Sequence, residues 1–159
     1  MKIEPKIVHL RKMYLAGTAV YGNPEKGLFT KAWDIFLEIN AYVKWKDDAK
    51  IYGLEFNTEE LYRAKEWFYL VAMELSDLAE IPMKMVGKII PEHTYAVFTA
   101  KGGIKNLPKT SCYGHDEWLP KSIYELADWF EFELYDKRFK GVDNSDSEID
   151  IYIPIRERK

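Results

Sequence analysis

The order strand, helix, strand, strand occurs twice along this chain of 159 residues, and that repetition constrains the fold more than any other feature. In the first half, Lys6 to Tyr21 is rich in β-branched and aromatic residues and is broken by Gly17, which predicts a long strand with a bulge or bend there. Gly22-Asn23-Pro24-Glu25 is a turn. From Leu28 to Val43 the apolar residues recur at helical spacing, and Ile51 to Phe56 and Glu66 to Leu75 read as strands. An acidic turn at 57–60 joins those two strands. In the second half, Met83 to Ile90 and Tyr95 to Thr99 read as a strand interrupted at Pro91. Ile104 to about Ala127 is a poorer helical region, and Phe130 to Tyr135 and Ile149 to Ile155 are strands.

Landmarks keep a near-constant offset, 76 positions from Gly27 to Gly103 and 79 from Ile51 to Phe130. That points to a duplicated unit. The fold class is therefore α+β: two βαββ units with pseudo-twofold symmetry, antiparallel sheets, two main helices and a central ligand groove. The units span about 1–78 and 82–157 within a single domain, 1–159, with no linker between them.

Charge and composition narrow the function. A net charge of −3 and a pI near 5.7 give no basic footprint for nucleic acid. One cysteine, Cys112, leaves no disulfide framework and suits a reducing cytoplasm. No apolar run approaches the roughly 20 residues of a membrane span. His9, His93 and His115 lack metal-like spacing, and Gly102-Gly103 lacks the rest of a phosphate loop, so neither a metal nor a cofactor is expected.

Aromatic residues make up 15% of the chain, and they crowd around an acidic strand, Phe130-Glu131-Phe132-Glu133-Leu134-Tyr135. Period-two alternation puts Glu131, Glu133 and Tyr135 on one face. Spacing alone leaves the two glutamates equivalent, and a half-buried strand with a solvated acidic face explains them better than a binding groove does. If that face looks into the groove, a carboxylate there attracts a cation whose rings stack on Tyr and Trp.

Three stretches resemble the closing signature of GyrI-like effector-binding domains, modules of AraC-type and other multidrug-responsive regulators. They are Trp118-Leu119-Pro120-Lys121-Ser122, Phe132-Glu133-Leu134-Tyr135 and Asp150-Ile151-Tyr152-Ile153-Pro154-Ile155. Upstream, Ile90 to Gly102, Tyr52-Gly53-Leu54-Glu55 and Phe68 to Glu74 resemble the family's other strands, so the likeness covers nearly the whole chain. In carrying little beyond that domain, the chain resembles the stand-alone members found on integron gene cassettes.

The resemblance implies a groove that binds lipophilic cationic compounds around a glutamate, here Glu133, with Tyr135, Tyr95, Trp118, Tyr69 and Trp33 as further ligand contacts. It implies a non-catalytic drug sensor linked to transcription regulation, a sequestering protein, or a subunit of a regulator whose DNA-binding part lies on another chain. The acidic charge argues against direct contact with nucleic acid, and no membrane contact is expected. A hydrolase using Glu and Tyr, or a protein-interaction module of gyrase-inhibitor type, is the alternative. Pro108, Ser111, Gly114 and His115 stand where the family has a well-formed aromatic helix. Pro108 is expected to start that helix and Gly114 to loosen it.

Overall fold

The structure, a computed structural model, describes residues 3–40, 50–56 and 63–159. Its first half consists of β1 (Lys6–Leu10), β2 (Met13–Gly22), α1 (Leu28–Asn40), β3 (Ile51–Phe56) and β4 (Trp67–Leu75). Its second half consists of β5 (Val86–Ile90), β6 (His93–Lys101), α2 (Leu107–Cys112), α3 (Leu119–Lys121), β7 (Tyr124–Leu126), β8 (Phe130–Tyr135) and β9 (Glu148–Glu157). A π-helical run, Tyr113–Trp118, joins α2 to α3. Val43 and the turn at 57–60 lie outside the described residues. Among the described residues no helix is long and apolar enough to cross a membrane.

The strands form one continuous antiparallel sheet in the order β1-β6-β9-β8-β3-β4-β2-β5, with β7 extending the same edge of β9 that β8 uses. This order is symmetric about the β8–β3 pair. The facing pair Lys6 and Val97 recurs as Val86 and Gly17, each residue moved by 80 positions. Each half therefore hands its first strand to the other: β1 borders β6, and β5 borders β2.

Two very short connections curl the sheet. β1 and β2 stand six places apart in the sheet order, about 29 Å if the sheet were flat. Only Arg11 and Lys12 separate them, a reach of about 11 Å. Pro91 and Glu92 join β5 to β6 under the same constraint. The two ends of the sheet must therefore approach each other, and the enclosed inner face buries Leu15, Tyr52, Leu54, Leu70, Tyr95 and Phe132.

The outer face carries the helices. Ala32 and Phe36 of α1 pack on Tyr69, Val71 and Met73, while Leu107 and Leu119 pack on Phe98 and the isoleucines of β9. Ile149, Ile151, Ile153 and Ile155 share that face, as their alternation predicts. At the entry to α1, Asn23 accepts a hydrogen bond from the Glu25 amide at 2.8 Å, and Gly27 takes a left-handed conformation (φ 74°) that suits glycine.

Three expectations change. Lys6 to Tyr21 is two strands, and the β2–β4 register runs without a bulge through Gly17. That glycine answers a close approach instead, because a Cβ there would stand 1.8 Å from the Val71 carbonyl oxygen. The strand expected across Pro91 is likewise two strands, with different neighbours. The helical region stops at Lys121, and Tyr124–Leu126 joins the sheet. Pro108 does occupy the first turn of α2. Replacing Gly17 with Ala should cost about 3 kcal/mol or more, because backbone cannot yield as a side chain can. Urea denaturation would show this as a lower midpoint at unchanged slope.

Candidate functional site

α1 packs mainly over β2 and β4, and α2 over β6 and β9, so the outer face of the central β3–β8 pair lies between them as the floor of a groove. The antiparallel register sets Ile51 opposite Tyr135, Gly53 opposite Glu133 and Glu55 opposite Glu131. Three carboxylates thus share one strip of sheet, with Glu55 and Glu131 directly facing, an arrangement that is destabilising between like charges.

Each carboxylate is met differently. Glu131 is buried and tied to the second helical segment: Ser111 Oγ donates to its Oε1 at 2.9 Å, and His115 Nε2 lies 2.5 Å from its Oε2. Burial pulls the His115 imidazole down, but the hydrogen bond and charge of Glu131 outweigh it and leave the ring more basic than usual. Glu133 is partly buried and receives the Tyr135 hydroxyl at 2.7 Å and, over a long 3.5 Å, that of Tyr69. Burial pushes its carboxyl up to about 7; the two tyrosine hydroxyls oppose the rise and Glu131 adds to it. Burial, then Glu133 and Glu131, holds Glu55 well above the ordinary carboxylate range. Among the described residues neither Glu55 nor Glu133 has a cation within ion-pair distance.

Aromatic side chains lean over this floor. Trp33 of α1 donates its indole N–H to the Tyr69 hydroxyl at 3.0 Å and meets the Tyr135 ring edge-on at 4.7 Å. Phe29 stacks on Tyr69 at 4.2 Å. Gly53 makes the arrangement possible, because a Cβ there would stand 2.4 Å from the Tyr69 hydroxyl and 2.8 Å from Glu133 Oε2.

Of the residues singled out in the sequence, Glu133, Tyr135, Tyr69 and Trp33 meet at this point. Tyr95 does not. Alternation along β6 sends Ala96 and Phe98 outward and Tyr95 inward, where it is fully buried against Phe132 and Tyr152. Trp118 shares the outer-face cluster with Tyr135 and Trp33, but its own ring partners are Phe98, edge-on at 5.5 Å, and Tyr124, stacked at 5.9 Å. Sequence reasoning missed Glu55, Gly53 and the anchoring of Glu131, which it left on a solvated face. The available signal was the spacing of Ser111 and His115, which puts both on one face of a helix.

A carboxyl that holds its proton more tightly folded than unfolded costs stability once it ionises. Between its ordinary value of 4.5 and about 7, Glu133 should therefore lower stability as pH rises. The protein should be less stable at pH 8 than at pH 5 by on the order of 2 kcal/mol or more, and Glu133→Gln should reduce that slope, while the raised His115 keeps part of it. Glu55 acts in the same sense and keeps a remainder. Urea unfolding at the two pH values tests this, and an unchanged slope in the variant refutes it.

The chain matches the integron-associated effector binding protein family over residues 6–155. It is 26% identical over 151 residues to the transcriptional regulator BrlR of Pseudomonas aeruginosa, a match covering 94% of this chain and 54% of that protein. The chain thus spans about half the length of that curated relative. Among solved structures it superposes on SAV2435 bound to tetraphenylphosphonium (TM-score 0.73, 18% identity, 97% of this chain and 94% of the other). It also superposes on an integron cassette protein of Vibrio cholerae (TM-score 0.66, 19% identity, 96% of each). A hydrolase of Listeria innocua shares the fold (TM-score 0.63, 11% identity, 98% and 93%). A match this continuous, on a sheet flanked by two helices over an acidic-aromatic groove, places the chain in the integron-associated effector binding protein family.

Proposed function

We propose that the groove over β3 and β8 captures lipophilic organic cations, with Glu133 as the charge partner and Trp33, Tyr69 and Tyr135 as stacking walls. One observation carries this reading: Glu55 and Glu133 sit in a poorly solvated, aromatic-lined strip with no cationic partner among the described residues. A bound cation supplies the missing charge, and each ring that faces it adds about 0.5–2 kcal/mol. The tetraphenylphosphonium held by SAV2435 belongs to this ligand class.

Binding is linked to protonation. Glu133 must shed its proton to pair with the ligand, so affinity rises with pH across the region around 7. In the cell, the proposed role is drug sensing in the cytoplasm. Occupancy is read out through a regulator on another chain and not by direct contact with DNA.

The Glu133–Tyr135 pair also supports a second reading. A carboxyl near pH 7 with a hydroxyl donor at 2.7 Å is equipped for general acid–base work on a reactive small molecule. Mass spectrometry of candidate electrophiles incubated with the protein separates the two, since turnover favours the hydrolase.

Tetraphenylphosphonium should raise the melting temperature, by the equivalent of about 2.7 kcal/mol at a hundredfold excess over its dissociation constant. Glu133→Gln should weaken it about tenfold or more while leaving the neutral triphenylphosphine oxide nearly unchanged. Equal loss for both compounds sinks the charge role of Glu133.

A further inference from the structure

The inner face of the curled sheet ends in a cavity of about 200 Å³ beside the Arg11–Lys12 connection. Its walls are apolar and aromatic: Met13, Tyr52, Phe132, Leu134 and Tyr152. Tyr152 lies stacked on Phe132 at 4.6 Å, which holds a flat surface in place. The rim is basic, with Arg11, Lys12 and Lys50 exposed around the opening. None of the three has an ion-pair partner among the described residues, although Lys12 Nζ stands 5.1 Å from the centre of the Tyr14 ring.

The acids near this rim are already engaged. Glu74, the one carboxylate in the lining, accepts the Tyr52 hydroxyl at 3.1 Å. Asp136 and Asp150 are held by Arg138 at 2.8 and 2.6 Å, with Lys50 adding a further pull on Asp136. Among the described residues the balance at the opening is therefore positive, in a protein whose net charge is negative.

The symmetry of the fold supplies an internal comparison. The other end of the inner face, beside Pro91, has a cavity of about 210 Å³ lined by Phe56, Lys88, Asp128 and Trp129 among others. There Lys88 lies over Phe56 at 4.8 Å and Asp128 is bonded to His93 at 3.3 Å, so the lining holds one cation and one anion. The two cavities match in size and place and differ in charge.

We infer that the cavity beside Arg11 and Lys12 is a second ligand site, for a small aromatic carboxylate or sulfonate. Its ring lies against the exposed side of Tyr152, which Phe132 backs from within, and its anionic group meets Arg11, Lys12 and Lys50. The volume falls below the roughly 300 Å³ at which drug-sized sites begin, which limits the ligand to one or two rings. This site lies on the opposite face of the sheet from Glu133 and takes the opposite charge.

Isothermal titration with 1-naphthoate tests it, with 1-naphthalenemethanol and 1-naphthylmethylammonium as neutral and cationic matches. Naphthoate should bind in the submillimolar range. The alcohol should bind about fivefold more weakly and the ammonium more weakly again. Arg11→Glu and Lys50→Glu, both at exposed positions, should each reduce naphthoate affinity about fivefold or more, whereas Glu133→Gln should leave it unchanged. No binding at millimolar naphthoate, equal binding of the alcohol, or loss on Glu133→Gln without loss on Lys50→Glu would each overturn the assignment.

Discussion

The β3–β8 ladder joins the two halves of the sheet, and everything around the groove depends on what that ladder carries. Its register forces Glu55 against Glu131 and leaves Glu133 facing a glycine. Strand pairing fixes these positions, so the side chains cannot separate by sliding. The protein answers locally: His115 and Ser111 reach from the second helical segment to Glu131, while Tyr135 and Tyr69 turn their hydroxyls to Glu133. Glu55 receives no such partner among the described residues. The helices therefore do more than cover the outer face: the second segment bonds Glu131 directly, and Trp33 of α1 holds the Tyr69 hydroxyl that reaches Glu133.

The curled sheet explains why such a costly arrangement survives. The exchanged first strands and the two-residue connections close the inner face around a dense aromatic core. That core stabilises the fold independently of the outer groove. Burial of Tyr95, Phe132 and Leu54, each removing a large apolar surface from water at about 25 cal/mol per Å², offsets the cost of crowding Glu55, Glu131 and Glu133 on the other face. The inner face buries an apolar core, whereas the outer face divides between the clusters under the helices and the acidic strip between them.

The duplication and the α+β class were legible because helical and strand periodicities differ over long segments such as Leu28 to Asn40 and Ile149 to Ile155. The shift between halves was not. Offsets of 76 and 79 from sequence landmarks miss the true ladder shift of 80. An error of one residue exchanges the faces of a strand: at 79, Phe130 matches Ile51, yet Phe130 lies inside and Ile51 packs outside. Tyr95 fails for a related reason, because its motif marks the strand without saying which face looks to the groove. Glu131 was invisible because its burial depends on Ser111 and His115, twenty and sixteen residues away. A helix weakened by Gly114 gave no hint that it would pack so closely, with a π-helical run and Gly114 against Phe98 and Ile153.

At the correct shift, Gly53 and Glu133 are equivalent positions that face each other across the pseudo-twofold axis. A symmetric protein would have to place two glutamates there, whose mutual repulsion would force one to remain protonated, or two glycines and no charge at all. The broken symmetry gives a single carboxylate with empty space opposite, and the tyrosine hydroxyl that fills part of this space comes from β4. The other equivalences follow the same pattern: Glu55 corresponds to Tyr135, so one half supplies an acid with no partner among the described residues where the other supplies the hydroxyl that steadies Glu133. Duplication built the frame of the groove, and the departures from duplication give it a charge and a direction.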